Sequence, residues 1–346
     1  MSANERRYRA RMNSSIAPLM ITANSASHTM SLALPLLWIA LVASVTMQSS
    51  CGKSPLSRVG FDDAARQAWH DARITTLTTD DGWLTLVGLD FLESDAYSFG
   101  SAPNCSLRYL HASAPQIGVF TRAGDRVTFA ANSGVTVTGD GVLITECVLL
   151  TDDASALAPP PSNAARTLRN GPLTITLVRR NGDLALRIKD NDSAIRRDFA
   201  GIALFPFDES LVVEATVERA NAQGTISITN VAGFVEQQPI AAKLRFQLQG
   251  KTHTLTATAG SQDQLFIVFG DASNGAATYG GGRFLDIAPG SDGRTLIDFN
   301  RAYNPPCCFT AFATCPLPPR ENILSIEIEA GERAPVSSHD DDASAH

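Results

Sequence analysis

The feature that most constrains this chain is a recurring two-residue break between β-branched runs. In VTVTGDGVLITECVLL, residues 135–150, Gly139-Asp140-Gly141 divides two runs rich in Val, Ile and Thr. Asp-Gly and Asn-Gly pairs accept positive φ at both central positions, which closes a tight antiparallel hairpin. The same signal stands at Ala123-Gly124-Asp125, Asn181-Gly182-Asp183 and Gln249-Gly250-Lys251. Further strands are expected at 210–218, 224–230, 264–269, 283–287, 294–299 and 323–329. No run of long helices alternates with them, so the pattern predicts a mainly β chain, an antiparallel sandwich or barrel-like body, rather than an α/β sheet. One helix is expected near the N-terminus, where Asp62 and Asp63 can cap it and Ala65, Trp69, Ala72 and Leu77 fall near three-to-four spacing.

Ahead of that helix, residues 31–47, SLALPLLWIALVASVTM, form an uncharged apolar run with Arg6, Arg7, Arg9 and Arg11 upstream and Ser49, Ser50 and Cys51 downstream. Basic, hydrophobic, then small is the order of an export signal. Ser-Ser-Cys-Gly resembles the lipobox of bacterial lipoproteins, with Gln48 where that pattern has an aliphatic residue. Three readings follow: lipidation of Cys51, an ordinary cleaved signal, or an uncleaved anchor, since about 17 residues is the lower limit for a spanning helix. The expected partner is therefore a lipid bilayer, met through Cys51 or the 31–47 segment, and the expected location is the bacterial cell envelope. The arginines lie far from the apolar run, so Met12, Met20 and Met30 are alternative starts.

The organisation predicted is a 1–30 extension, a 31–51 signal or lipoprotein segment and a 52–60 tether. A helix plus first β subdomain over 61–151 and a Pro-rich linker, 152–165, come next. A second β subdomain over 166–333 and a disordered tail, 334–346, complete it. The net charge of -7, with no basic stripe after residue 60, excludes a nucleic-acid surface.

Residues 298–319, DFNRAYNPPCCFTAFATCPLPP, carry five prolines and three cysteines. Prolines fix φ, so Pro305, Pro306, Pro316, Pro318 and Pro319 predict a rigid irregular loop, a place where proteins mount recognition groups. This stretch, with GWLTLVGLDFL at 82–92, TYGGGRFL at 278–285 and AGE at 330–332, resembles the bacterial domain of unknown function 1684 family over roughly residues 61–333. The resemblance implies a domain identity and no chemistry. Cys308 departs from it, standing where the family pattern has a small residue such as alanine, which leaves open which cysteines pair.

With Cys51 set aside, Cys105, Cys147, Cys307, Cys308 and Cys315 remain, an odd number. In an oxidising envelope, Cys307 or Cys308 can bridge to Cys315 for about 2.5 kcal/mol, and Cys105 to Cys147 for about 4 kcal/mol, on the chain-entropy model. Buried unpaired thiols are the alternative. A metal site is not expected, because no CxxC pair or nearby His supplies a fourth ligand, and no cofactor is implied. A cysteine nucleophile needs a base, and His70, His111 and His253 are all distant in sequence.

Asp271, Tyr279, Arg283, Asp298, Asn300, Tyr303 and Asn304 become neighbours if strands 264–269, 283–287 and 294–299 pair in order. Arg283 then offers a clamp for an anionic ligand, with Asp271 or Asp298 as a base if burial raises its pKa. The bland reading is an Arg283–Asp298 ion pair, with asparagines tying down turns. Gly280-Gly281-Gly282 lacks the spacing of a phosphate cradle and predicts a tight bend, and Trp83, opening an apolar run, predicts a core residue. No GxSxG elbow or HExxH motif is present. Three functional readings remain. The first is an envelope module that binds a small polar or anionic ligand or a glycan through 278–319. The second is a hydrolase that uses a carboxylate base, Asp271 or Asp298, with Arg283 or Tyr303. A structural envelope component is the third.

Overall fold

The computed structural model describes residues 56–153, 160–219, 224–288, 290 and 292–335. The 1–30 extension, the 31–51 segment with Cys51, residues 52–55 of the 52–60 tether and nearly all of the 334–346 tail lie outside the described residues. No helix among the described residues is long and apolar enough to cross a membrane.

The chain is mainly β, with one long helix near its start. Helix α1 (Asp63–Thr78) begins where Asp62 predicts, its carboxylate accepting the Ala65 N–H at 2.8 Å. Its inward face is not the apolar one the spacing suggested. Arg66, His70 and Leu77 are buried, Arg73 and Trp69 half-buried, and Ala72 exposed. Trp83 is also not core: it starts a 3₁₀ turn, Trp83–Thr85, and is 39% exposed.

The first twelve strands are β1 (Leu86–Phe91), β2 (Ala96–Gly100), β3 (Leu107–Arg108), β4 (Gly118–Ala123), β5 (Arg126–Ala131), β6 (Thr138–Gly139), β7 (Val142–Leu143), β8 (Glu146–Leu149), β9 (Ala164–Ala165), β10 (Thr167–Asn170), β11 (Leu173–Arg180) and β12 (Asp183–Asp190). They form two six-stranded sheets, ordered β1-β12-β11-β10-β6-β7 and β3-β2-β4-β5-β8-β9. Phe99, Phe120, Phe129, Leu168, Ile175 and Leu186 fill the core they share. The β11–β12 hairpin shows why the turns were legible: Asn181 and Gly182 sit at φ 51° and 84°, and pairing runs unbroken from Arg180↔Asp183 to Leu173↔Asp190.

The 152–165 segment does not separate two sheets. β12, which follows it, pairs with β1, and β10 pairs with β6, so strands from both sides interleave. The change of sheet falls after β12, in a connection that contains the short helix α2 (Ala194–Arg197).

The second group is β13 (Val212–Arg219), β14 (Thr225–Thr229), β15 (Val235–Pro239), β16 (Ala242–Leu248), β17 (Lys251–Ala259), β18 (Leu265–Phe269), β19 (Arg283–Ile287) and β20 (Arg294–Asp298). β14 and β15 make a separate ribbon, and the other six form a sheet ordered β19-β18-β17-β16-β13-β20. β20 therefore pairs with β13 and not with β19, against the sequential pairing expected. The sheet curls into a half-barrel that brings these two edges toward each other. Tyr303, just past β20, exchanges backbone hydrogen bonds of 2.9 and 3.0 Å with Phe284 of β19 and closes the gap. Residues 323–329 run extended beside the barrel without forming a named strand, linked by single bridges such as Gly270↔Ile323.

Asn322 stands where β17 and β18 diverge. Its side chain accepts the Thr256 N–H at 2.7 Å and donates to the Thr256 and Val268 carbonyls, both at 2.8 Å. These strands are otherwise paired only at Thr258↔Phe266 and Ala259↔Leu265, so Asn322 supplies the missing ladder. Asn322→Ala leaves three buried backbone groups unpaired, each costing about 1–3 kcal/mol. A drop of at least 2 kcal/mol in urea unfolding is expected, about the cost of two such groups.

Candidate functional site

The Gly-rich turn sets the position of Arg283. The Gly282 N–H donates to Tyr279 O at 3.1 Å and Gly282 has φ +82°, where an added Cβ would stand 2.3 Å from Pro318 Cγ. The predicted tight bend is thus present, and it turns Arg283 into the barrel with 0% exposure. Its guanidinium donates to Asp271 Oδ2 at 2.7 Å, to the Ile328 carbonyl at 2.7 Å and to the Ala330 carbonyl. The Phe269 ring lies beneath it at 5.2 Å. Asp271 Oδ1 accepts from Ser273 N at 2.9 Å, Ser273 Oγ at 2.5 Å and Ile328 N at 3.2 Å. The ion pair is therefore Arg283–Asp271, not Arg283–Asp298, and both members are occupied by the protein itself.

Asp298 and Asn300 form a second knot. Asp298 Oδ1 accepts the Asn300 N–H and Nδ2–H, both at 3.0 Å, while Asn300 clamps the Asp208 backbone with bonds of 2.9 Å to its N–H and carbonyl. Burial raises the Asp298 pKa, opposed by Asn300 and by Arg301, whose Nε lies 3.3 Å from Oδ2. Asp271 and Asp298 both sit inside the fold, and neither lines the two grooves described below.

Asn304 belongs to a third constellation, centred on a carboxylate that sequence reading left out. Glu332 has a side-chain exposure of 0%; it accepts from Arg73 of α1 and from the Asn304 N–H at 2.7 Å. Arg73 also donates to the Asn304 carbonyl at 2.7 Å and lies 4.4 Å above the Tyr303 ring. Tyr303 donates to Asp286 Oδ2 at 2.7 Å, and burial raises its pKa. The only available signal for Glu332 was the AGE stretch. Gly331, at φ +73°, lets that chain approach Ala302 O, which an added Cβ would meet at 2.2 Å.

The Pro-rich loop is a wedge, not an exposed display. Thr310, Phe312, Ala313 and Cys315 are buried, and Thr310 Oγ1 donates to Leu86 O of β1 at 2.8 Å. Phe312 and Cys315 pack with Leu86, Val178, Val268 and Phe284, which belong to both β units. Cys105, Cys147, Cys307, Cys308 and Cys315 are all unbridged. A Cys105–Cys147 bridge is excluded by topology: β2, β4 and β5 stand between β3, which Cys105 precedes, and β8, which holds Cys147. The Cys105 thiol instead donates to Pro115 O at 3.3 Å, and burial pushes Cys147 up to about 11. The Cys307–Cys315 pair is brought together unbridged, the Cys307 N–H donating to Cys315 Sγ at 3.1 Å. Tyr279 joins them, its hydroxyl 3.4 Å from Cys307 O and 3.7 Å from Cys307 Sγ. Among the described residues no group of three or more His, Cys, Asp or Glu is placed to hold a metal ion.

Open surface lies elsewhere. A groove of about 500 Å³ between α1 and residues 202–206 is lined by Arg66, His70, Phe205, Pro206 and Arg333. His70 is buried, with no hydrogen-bond partner for Nε2 among the described residues, and Arg66 Nε and Asn304 Oδ1 are likewise unpartnered. Burial lowers the His70 pKa below 6.5, against the opposing pull of Glu332. Arg333 lies 4.0 Å over Phe205 and remains exposed. A larger groove of about 960 Å³ crosses β13 and β16, where Glu214, Glu218 and Arg245 present exposed charges of both signs.

The knots predict large stability effects. Arg283→Met strands a buried carboxylate and should cost about 3–5 kcal/mol, and Asn300→Ala about 1–3 kcal/mol. Denaturant melts showing either variant within 0.5 kcal/mol of wild type, the range of an ordinary surface change, would contradict a structural role.

Residues 197–333, which hold the half-barrel, the first two knots and the third apart from Arg73, match the family model described as a protein of unknown function, DUF1684. The span is shorter than the 61–333 suggested by the sequence motifs, and the 82–92 stretch falls outside it. A solution NMR structure of an uncharacterized protein from Haloarcula marismortui is similar at 34% identity, covering 41% of this chain and 80% of that one, with a TM-score of 0.35. No curated protein matches. Through its half-barrel, Pro-rich wedge and AGE segment, the chain belongs to the DUF1684 family of proteins of unknown function.

Proposed function

We propose that this protein is an exported, membrane-anchored module that binds a small anionic ligand in the groove between α1 and residues 202–206. The observation that carries the reading is His70, buried at that groove with an Nε2 that no group among the described residues satisfies. Buried polar atoms are nearly always paired, and exceptions concentrate where a ligand supplies the partner. The exposed Arg333 and the unpartnered Nε of Arg66, whose other nitrogens hold Asp63 and the Phe205 carbonyl, flank His70 with donors for an anion. The asparagines and ion pairs of 278–319 act behind it: Asn304 holds the Arg333 carbonyl at 2.8 Å and thereby the rim. A hydrolase built on Asp271 or Asp298 has less support, because Arg283 and Asn300 already occupy those carboxylates.

Inorganic phosphate and citrate, at constant ionic strength, should raise the melting temperature, with a neutral sugar as control. At 100 times Kd the gain is about 2.7 kcal/mol, or about 5–10 °C for a body of this size. Because burial holds the His70 pKa below its unfolded 6.5, the unprotonated ring is favoured in the apo fold. A bound anion favours the protonated ring, so binding should tighten as pH falls from 7.5 toward 5.5. His70→Gln should abolish that pH dependence and Arg333→Ala should weaken binding; an unshifted wild type at every pH would sink the groove.

Anchoring is motivated by the 31–51 segment. The protein should fractionate with membranes, and Cys51→Ser should release it or block its processing. A wild-type chain found wholly in the cytosol would overturn this part.

A further inference from the structure

Cys307 and Cys315 occupy opposite ends of the Pro-rich wedge, and each end is stiffened by proline. Pro305, at φ -67°, precedes the 3₁₀ turn Pro306–Cys308, and Pro316 follows Cys315 directly. The fold brings the two cysteines together: the Cys307 N–H donates to Cys315 Sγ at 3.1 Å. The Tyr279 hydroxyl, 3.7 Å from Cys307 Sγ, is a donor to it, and burial raises the Tyr279 pKa so that it keeps its proton.

The two sulfurs are not equivalent. Cys307 is half-buried, whereas Cys315 is 5% exposed. Cys307 is thus the sulfur that an incoming disulfide can reach, with the Tyr279 hydroxyl as its donor, and Cys315 stands behind it to resolve, an asymmetry that thiol–disulfide exchange uses. Cys308, next in sequence, is pushed up by burial and receives no such donors.

We propose that Cys307 and Cys315 form a dithiol site that reduces small-molecule disulfides, with Cys307 attacking and Cys315 resolving. In the first step the Cys307 thiolate attacks one sulfur of the disulfide RSSR. A Cys307–S–S–R bond forms, and the RS–SR bond breaks to release RS⁻. In the second step Cys315 gives up its proton and attacks the Cys307 sulfur, forming the Cys307–Cys315 bond and releasing the second RS⁻. The two leaving thiolates take up the two protons, so two protein thiols are oxidised to one disulfide as RSSR is reduced to two RSH. The bridge closes within a loop already folded around the pair, and Tyr279 stabilises the thiolate at the start of the cycle. This inference is independent of the anion groove.

The test uses the full chain, reduced and then exposed to oxidised glutathione, with remaining thiols alkylated before peptide mass spectrometry. Wild type should yield a 307–315 linked peptide two hydrogen masses lower, and Cys315→Ser should stop at a glutathione adduct on Cys307. Cys307→Ser should yield neither product, and Cys308→Ser should behave as wild type. Tyr279→Phe, which leaves both thiols in place, should slow the first step about fivefold, the effect of one modest hydrogen bond. Native protein that reacts only after unfolding, or that first accumulates the adduct on Cys105 or Cys308, would overturn the proposal. So would a Tyr279→Phe rate equal to wild type.

Discussion

A guanidinium with no solvent exposure must be neutralised inside the fold, and the half-barrel is organised around doing so for Arg283. Isolated buried charge is too unfavourable to persist, so Asp271 and two carbonyls are held at bonding distance. That requirement fixes three chain paths at once: the Asp271–Ser273 turn, the entry to β19 through Gly282, and the extended run through Ile328 and Ala330. The last of these forms no named strand, and its course follows from the carbonyls it offers to Arg283 rather than from a ladder of its own. Buried pairs of this kind add little net stability over apolar packing of equal volume. What they do is penalise every arrangement in which one member loses the other.

The same logic joins the helix to the barrel. Glu332 is buried as fully as Arg283, and its partner Arg73 comes from α1, 259 positions away in sequence. Because Arg73 also donates to Asn304 O and covers Tyr303, α1 is docked by charge and an aromatic face as well as by Ile74 and Leu77, which pack with Leu84, Ile202 and Phe309. Trp69, tilted against Tyr303 with ring centroids 6.3 Å apart, adds an aromatic contact.

What could be read from the sequence divides along the range of the interaction. Hairpins at Asn181-Gly182 and Gln249-Gly250 were legible because their signal is local: both residues of each pair take positive φ. The Asp62 cap was legible for the same reason. The pairing of β20 with β13 was not, because it depends on how far the sheet curls. Nor was the inward face of α1. Ala65, Trp69 and Ala72 show one helical periodicity, while Arg66, His70, Arg73 and Leu77 show another displaced by one position, about 100° around the helix axis. The polar residues of 271–304 stand out in the sequence as a group of unusual content. Yet a carboxylate or asparagine that ties down backbone has the same letter as one that waits for a ligand, and only the partners distinguish them.

The wedge shows how composition alone can mislead about position. Prolines reduce the conformational entropy lost on ordering a loop, whether the loop is displayed or buried. Here Thr310 and Phe312 are buried against β1 and both β units, so the rigidity serves packing. The side of the wedge left half-buried carries Cys307 and Cys308, and the field of the Arg73–Glu332 pair reaches Cys308. The same pair acts on His70 from the other direction. The groove and the thiol-bearing wedge therefore share one electrostatic neighbour. A charge gained at His70 and a charge gained at Cys308 would both be felt by Glu332, with opposite sign. Any communication between the two regions has a physical carrier only if the Arg73–Glu332 pair has two arrangements, since a fixed pair transmits no more than a screened Coulomb interaction.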